Sequence, residues 1–364
     1  MVLTSGAPQT AHKEQTGHMA EKEIFIIVDY RSQLYCPLKG TARTLDLEKI
    51  EALFKEAGFK TRIKQFSQID FSKENYAGKV VIYQSSEDYD LRYKSYIEDV
   101  VLGLKLQGAL LIPDFHHLRA HHNKVFMEIL RTLTRDDDIT RGISTQCFGT
   151  LEEFDATARE QSYPAVIKPA SGHTGEGVTL AHNAKEAVAR ARKTSRAAFW
   201  PVFWKNLRLG RLAGFVPESH HTKKFIVQNF IPGLQLDYRV VAFGEKFYLL
   251  KRSTRQGDFR ASGSGISTWP TKPPDGLLDY AKRVKKSFNV PFLHMDIIPD
   301  GESFVLIEFQ FLRFGTNSVQ RSPHYFIEKD GKWIRVQERT TIEEAFVKSV
   351  VDYLEKTTKN GSGI

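Results

Sequence analysis

With 364 residues the chain has room for two or three compact units, and 41% hydrophobic against 26% charged residues argues against large-scale disorder. Its 52 Lys and Arg outnumber 43 Asp and Glu, and the net charge of +9 favours anionic ligands without choosing among nucleotide, acidic polymer, nucleic acid and membrane surface. Two cysteines, Cys36 and Cys147, exclude a disulfide framework and fit a reducing, cytoplasmic setting, and no stretch is apolar for long enough to span a membrane.

Residues 1–20 are polar and lack an apolar stretch, so a disordered leader is expected rather than a signal peptide. Glu23–Asp29 reads as a buried parallel strand and Leu45–Gly58 as a helix with a glycine stop. Further strands at Lys60–Phe66, Lys79–Tyr83 and Ala109–Ile112, with a helix around Leu91–Leu106, make 21–115 an α/β domain. Ser85, Ser86 and Asp88 fall at a strand's carboxyl end, where open α/β sheets gather ligands. His116, His117, His121 and His122 follow. The i, i+4 pair His117 and His121 has metal-ligand spacing, yet no acidic or cysteine partner lies close in sequence, so a polar interdomain connection is the plainer expectation.

From 116 to 225 an α+β unit is expected. Asn123-Lys124 opens a helix running through Leu133, Ile143–Phe148 is a strand, and Thr150–Gln161 is a helix with Thr150 and Glu153 as a capping box. Strand Ala165–Lys168, the loop Pro169–Gly177 and strand Val178–Ala181 then form a hairpin with a long tip. Glycines at 172, 175 and 177 would let backbone N–H groups approach an anion, with Lys168 as a point charge beneath, and Ala184–Lys193 is helical. Residues 196–224 interleave aromatics with cations. That pattern suits either a surface for an acidic polymer, nucleic acid or lipid headgroups, or a helical insertion with aromatics packed inward; the second is the expectation.

In 226–358, strands at Lys224–Ile231, Leu236–Phe243 and Lys246–Arg252 read as a meander, and 253–268 as a mobile lid. Asp275–Phe288 is helical, Leu293–Ile298 and Ser303–Phe309 flank the turn Pro299-Asp300-Gly301, and Glu343–Leu354 is a helix. Glu308 and Gln310, two apart, share a strand face that a hairpin partner can extend to Asp296. Converging carboxylates in a basic chain with a phosphate loop point to Mg²⁺ held between protein oxygens and ATP phosphates. Arg239, Lys251, Arg252, Arg255 and Arg260 are then available for a γ-phosphate and a substrate carboxylate. A set of surface salt bridges is the alternative.

The ordered series resembles the ATP-grasp superfamily from about Ile24 to Leu354. Its fold, as the resemblance implies it, is a Rossmann-like pre-ATP-grasp domain followed by two α+β subdomains that clamp ATP. Lys124 and Lys168 match the nucleotide-binding lysines, Ser171–Gly177 with Gly172 and Gly175 the phosphate-covering loop, and Gln228, Asn229, Phe230 and Ile231 the adenine hinge, with Asp237 at the ribose. Asp237-Tyr238-Arg239 and Gly257–Arg260 are similar to the glutamate-adding ribosomal-protein ligases, where the metal-binding pair is Glu-x-Asn; Gln310 stands in place of that Asn.

The resemblance implies carboxylate–amine ligation through an acylphosphate, with Lys251 joining the nucleotide lysines. Asp296, Glu308 and Gln310 would hold one or two Mg²⁺ ions, and Arg260, Arg239 and Arg252 would serve catalysis. Partners would be a small-molecule or peptide carboxylate and an amine, with a homodimer in keeping; an acidic polymer at 196–224 rests on the residues alone, and nucleic acid there is the weaker reading. A kinase on the same fold and a nucleotide-binding module without catalysis are the alternatives.

Overall fold

The computed structural model describes residues 22–38, 43–172, 176–254, 266–301, 303–312 and 315–359. The leader 1–20 thus lies outside the described residues. The chain begins with β1 (Lys22–Val28), α1 (Leu47–Glu56), β2 (Phe59–Gln65), β3 (Val80–Tyr83), α2 (Arg92–Leu106) and β4 (Leu110–Ile112). The strands form a parallel sheet in the order β2-β1-β3-β4. Phe25 to Val28 are all buried, as a parallel strand covered on both faces requires. α1 is capped by Asp46, which accepts from the Lys49 amide at 3.1 Å, and turns Ile50 and Phe54 inward. Ser86 and Asp88 are taken up locally: the Ser86 hydroxyl donates to Asp88, and Asp88 accepts from the Tyr93 amide at 2.9 Å, at the start of α2.

The middle of the chain holds α3 (Phe115–Ala120), α4 (Lys124–Leu133), α5 (Asp137–Thr140), β5 (Thr145–Phe148), α6 (Leu151–Thr157), β6 (Ala165–Pro169), β7 (Thr179–Ala181), α7 (Ala184–Thr194), α8 (Phe199–Leu209) and β8 (Phe225–Asn229). Its antiparallel sheet runs β5-β8-β6-β7. The Thr150–Glu153 capping box is present. β8 pairs with β5 and β6 and not with the strand after it, so the expected three-strand meander is broken and the central unit reaches Asn229 rather than ending at 225.

The remaining elements are β9 (Leu236–Phe243), β10 (Lys246–Ser253), β11 (Ser267–Thr268), α9 (Leu277–Phe288), β12 (Phe292–Asp300), β13 (Ser303–Gln310), α10 (Thr316–Gln320), β14 (Tyr325–Lys329), β15 (Lys332–Val336) and α11 (Ile342–Lys359). They build a seven-stranded sheet, β13-β12-β9-β10-β14-β15, with β11 on β10. The β14–β15 hairpin was not anticipated. It turns at Asp330-Gly331, both with positive φ (52° and 73°), the conformation a tight two-residue hairpin needs.

α8 reverses the expectation for its aromatics. None of its residues is buried; Trp200 and Trp204 are 65% and 60% exposed, because none of the described elements covers this face. Lys205 and Asn206 tie the helix back to Glu218.

The cores show how the units are joined. Ile24, Ile26 and Phe54 pack in one cluster with Val241, Phe243, Phe292, Phe346 and Val350, so the first sheet and the seven-stranded sheet share an interior. The central sheet keeps its own core around Phe148, Phe154, Ile167 and Phe225. Among the described residues, no helix is long and apolar enough to cross a membrane.

Candidate active site

Strand register assembles the acidic cluster. β9 lies between β10 and β12, pairing Asp237 with Arg252 and Arg239 with Asp296, while β12 pairs Asp296 with Glu308 and His294 with Gln310. Side chains alternate along a strand, so Asp237, Arg239, Arg252, His294, Asp296, Glu308 and Gln310 share one face. Lys251 pairs with Tyr238, a residue of the apolar core, and so belongs to the opposite face.

Asp296 is caged. Arg239 donates to it bidentately at 2.9 and 3.1 Å, Arg252 reaches it at 2.8 Å, and the His294 ring nitrogen Nε2 lies 3.1 Å away. Burial alone would push its carboxyl up, but the two guanidinium groups hold it well below the usual carboxylate range. Burial drives His294 downward, with Arg239 adding to the effect.

Asp237 stands in the same cluster. Its two oxygens accept from Arg252 at 2.6 and 2.5 Å, a different setting from the ribose contact expected, because β9–β10 register puts the guanidinium directly opposite. Burial, with the nearby Asp296 charge, pushes its carboxyl up to about 6. The folded protein therefore binds a proton here more tightly than the unfolded chain, whose carboxyl titrates near 3.8. That contribution to stability is complete below pH ~4 and is lost as pH rises to about 6. Asp237→Asn should flatten melting temperature against pH across this window; an unchanged slope would assign it elsewhere.

The cations approach from the central unit. Asn123 caps α4 by accepting from the Phe126 amide, which sets Lys124 in the first turn. The Lys124 ammonium donates to the Gly172 carbonyl at 3.1 Å and lies 3.9 Å from Glu308 Oε1. Lys168, at the end of β6, donates to Gln228 Oε1 at 2.5 Å, and Gln228 donates in turn to Thr145. Desolvation lowers the Lys168 ammonium, an effect opposed by Glu308 and Glu128. Glu308 sits below its ordinary value: burial pushes it up, and Lys124 and Lys168 outweigh that.

At the hinge, the Asn229 amide donates to the Ser144 carbonyl and the Phe230 amide to the Pro164 carbonyl, while the Asn229 side chain fastens to Gly142 and Ser144. Of the four hinge residues, Gln228 contributes a side chain to the lysine, and Ile231 follows the strand. Ser171 is exposed beside Gly172, and Gly177 has φ 72° with Pro169 only 3.0 Å from where a Cβ would stand. Gly175, Arg255, Arg260 and most of the lid at 253–268 lie outside the described residues.

A buried support was missed in the sequence. Between Asp296/Ile297 and their β13 partners the register shifts, so Ile307 is an extra residue in a β-bulge next to Glu308. Arg131 of α4 donates to the Leu306 and Ile307 carbonyls at 2.7 and 3.0 Å and to the Ile139 carbonyl at 2.8 Å, and pairs with Glu128 at 2.8 Å. One buried guanidinium thus joins the helix that presents Lys124 to the strand that presents Glu308. Its sequence signal, Glu128 and Arg131 at i, i+3 on a helix, is too common to single out.

The donor set fits a hard cation. Glu308 and Gln310 present oxygens on one face, and Gln310 Oε1 is buried without a hydrogen-bond partner among the described residues, while its amide donates to Glu308 at 3.1 Å. Asp296 fits only on giving up an arginine contact.

Comparison with known proteins agrees with this architecture. The sequence profile described as "Carbamoyl-phosphate synthase L chain, ATP binding domain" matches residues 131–202. The structure is similar to that of D-cycloserine synthetase DcsG, with TM-score 0.52 and 12% identity over 91% of this chain and 99% of that one. It is also similar to D-alanyl-alanine synthetase A from Vibrio cholerae O1 biovar eltor str. N16961, with TM-score 0.50 and 9% identity over 94% and 100% of the two chains. No curated protein matches significantly in sequence. By its architecture, the chain has the ATP-grasp fold.

Proposed function

We propose that the protein is an ATP-dependent carboxylate–amine ligase working in the cytoplasm, with nucleotide between the central sheet and the seven-stranded sheet. The observation that carries this reading is the 3.9 Å approach of Lys124 from one unit to Glu308 of the other, with Lys168 and Gln310 beside them. Bound ATP would supply the phosphoryl group that activates a carboxylate as an acylphosphate, and Mg²⁺ would screen the phosphate charge.

The chain's own groups do the positioning. Lys124 and Lys168 neutralise the α- and β-phosphates, and Lys168 is held ready by Gln228. Glu308 and Gln310 would hold the metal, and Asp296 would join them on giving up an arginine contact. Arg239 and Arg252 bring positive charge to the transferring group, their directions set by Asp296 and Asp237; Arg260 takes the same task on the sequence pattern alone. On the sequence pattern alone, 253–268, most of which lies outside the described residues, would exclude water from the acylphosphate.

The test is ADP release with Mg·ATP and pooled carboxylates, with and without pooled amines. Amine-dependent ADP formation is expected. A stable phosphorylated product without amine would mean a kinase instead. ATP binding with no turnover would mean a nucleotide-binding module, the reading favoured by the Asp296 cage and by Gln310 in place of the superfamily's usual Asn.

A further inference from the structure

We propose that Glu87, His121 and His122 form a site for a divalent transition-metal ion of the zinc class, distinct from the acidic cluster of the seven-stranded sheet. Glu87 follows β3 at its carboxyl end, and the two histidines link α3 to α4. His117 and His121, the pair with metal-ligand spacing in the sequence, are not the two brought together. The His117 ring is buried against Phe311, with centroids 4.0 Å apart, and His121 lies instead beside His122, at 4.3 Å.

Two consecutive side chains in an extended link would point apart, but His122 has φ 51°, a left-handed conformation uncommon outside glycine, which carries its ring to the side of His121. One ligand atom from each of the three residues lies within 4.8 Å of the other two. His122 Nε2 and Glu87 Oε1 are 3.5 Å apart. That is longer than a usual N–H···O hydrogen bond and close to the edge of a tetrahedral shell with bonds of about 2.1 Å, roughly 3.4 Å. From within 4.8 Å to that edge the remaining ligand atom has to close by at most about 1.4 Å, within reach of side-chain rotation.

Two imidazoles and one carboxylate make a donor set for Zn²⁺ or Co²⁺; Mg²⁺ demands oxygen ligands. Three protein ligands leave a coordination position open for water or for an external carboxylate or amine. The Glu87 and His122 side chains are 15% and 10% exposed, shielded but within reach of solvent. The site abuts Asn123, whose Oδ1 accepts from the Phe126 amide and from Lys224, so an ion at 121–122 would fix the turn that delivers Lys124.

The experiment is equilibrium dialysis of the full chain against Zn²⁺ in excess Mg²⁺, with bound metal counted by atomic emission, and the visible spectrum of the Co²⁺ form as a second readout. Close to one Zn²⁺ per chain is expected, with the intense absorption of low-coordinate Co²⁺. Glu87→Gln and His122→Asn should each weaken zinc binding by about tenfold or more and bleach the Co²⁺ band. Asn tolerates the left-handed conformation, so His122→Asn should fold, which its melting temperature in chelator would check. His182→Ala, an exposed histidine elsewhere, should change nothing. Zinc retention equal to wild type in Glu87→Gln and His122→Asn, or no zinc retained at about micromolar free metal, overturns the site.

Discussion

Replacing Arg131 with methionine is expected to destabilise the protein by about 3–5 kcal/mol, the range for breaking a buried ion pair. The guanidinium and its partner carboxylate on Glu128 are only 3% and 4% exposed. Methionine fills much the same volume, but it leaves Glu128 charged in an apolar setting and strips three carbonyls, those of Ile139, Leu306 and Ile307, of a donor. Adding Glu128→Leu should recover part of the loss, since the orphaned charge disappears while the carbonyls stay bare. Chemical denaturation of the four proteins in this cycle measures it. Because the bulge carbonyls aim the strand that carries Glu308, the single variant should also bind Mg²⁺ more weakly. A loss below about 1 kcal/mol would mean that water replaces the guanidinium and that the bulge holds itself.

Glu308→Gln should cut ATP turnover by roughly 10²–10³-fold, the scale set by removing one preorganised electrostatic group. The replacement keeps shape and an oxygen for Gln310, which donates to Glu308 Oε1 at 3.1 Å, but removes the charge. Lys124 and Lys168 then lose the protein anion that balances them, so nucleotide without metal should bind no more weakly while Mg²⁺ affinity falls. Initial-rate kinetics and a Mg²⁺ titration check both. Turnover within about threefold of wild type would remove Glu308 from the chemistry.

The sequence carried those parts of the site that depend on period. In Leu236–Phe243 alternation places Asp237 and Arg239 together, and in Ser303–Gln310 it does the same for Glu308 and Gln310; register then sets Asp296 beside Glu308. Long-range pairing was not legible. Nothing in the alternation of LDYRVVAF says that Phe292–Asp300 takes its other edge, or that Asp296 would be caged by two arginines. Nor does a strand's composition name its sheet, which is why Phe225–Asn229 was read with the strand after it. Ile307 shows the limit of the rule: one extra residue shifts the register without leaving a mark in the hydrophobic pattern. Asp330-Gly331, by contrast, is a hairpin signal that the sequence carries openly. The α8 aromatics misled because an apolar stripe implies a partner, and none of the described elements of this chain covers it.

The interior shared by the first and last sheets bears on how the chain is made. The Asp46 amide donates to Glu343, 297 positions further on, and Ile24, Ile26 and Phe54 share their cluster with Phe346 and Val350 of α11. During synthesis, β1 leaves the ribosome early and waits with an open flank until α11 arrives. The central sheet, whose core is drawn from Phe148 to Val227, can condense meanwhile. Nascent chains halted before α11 should therefore carry a formed middle between unfinished ends, and they are the species on which a chaperone would act.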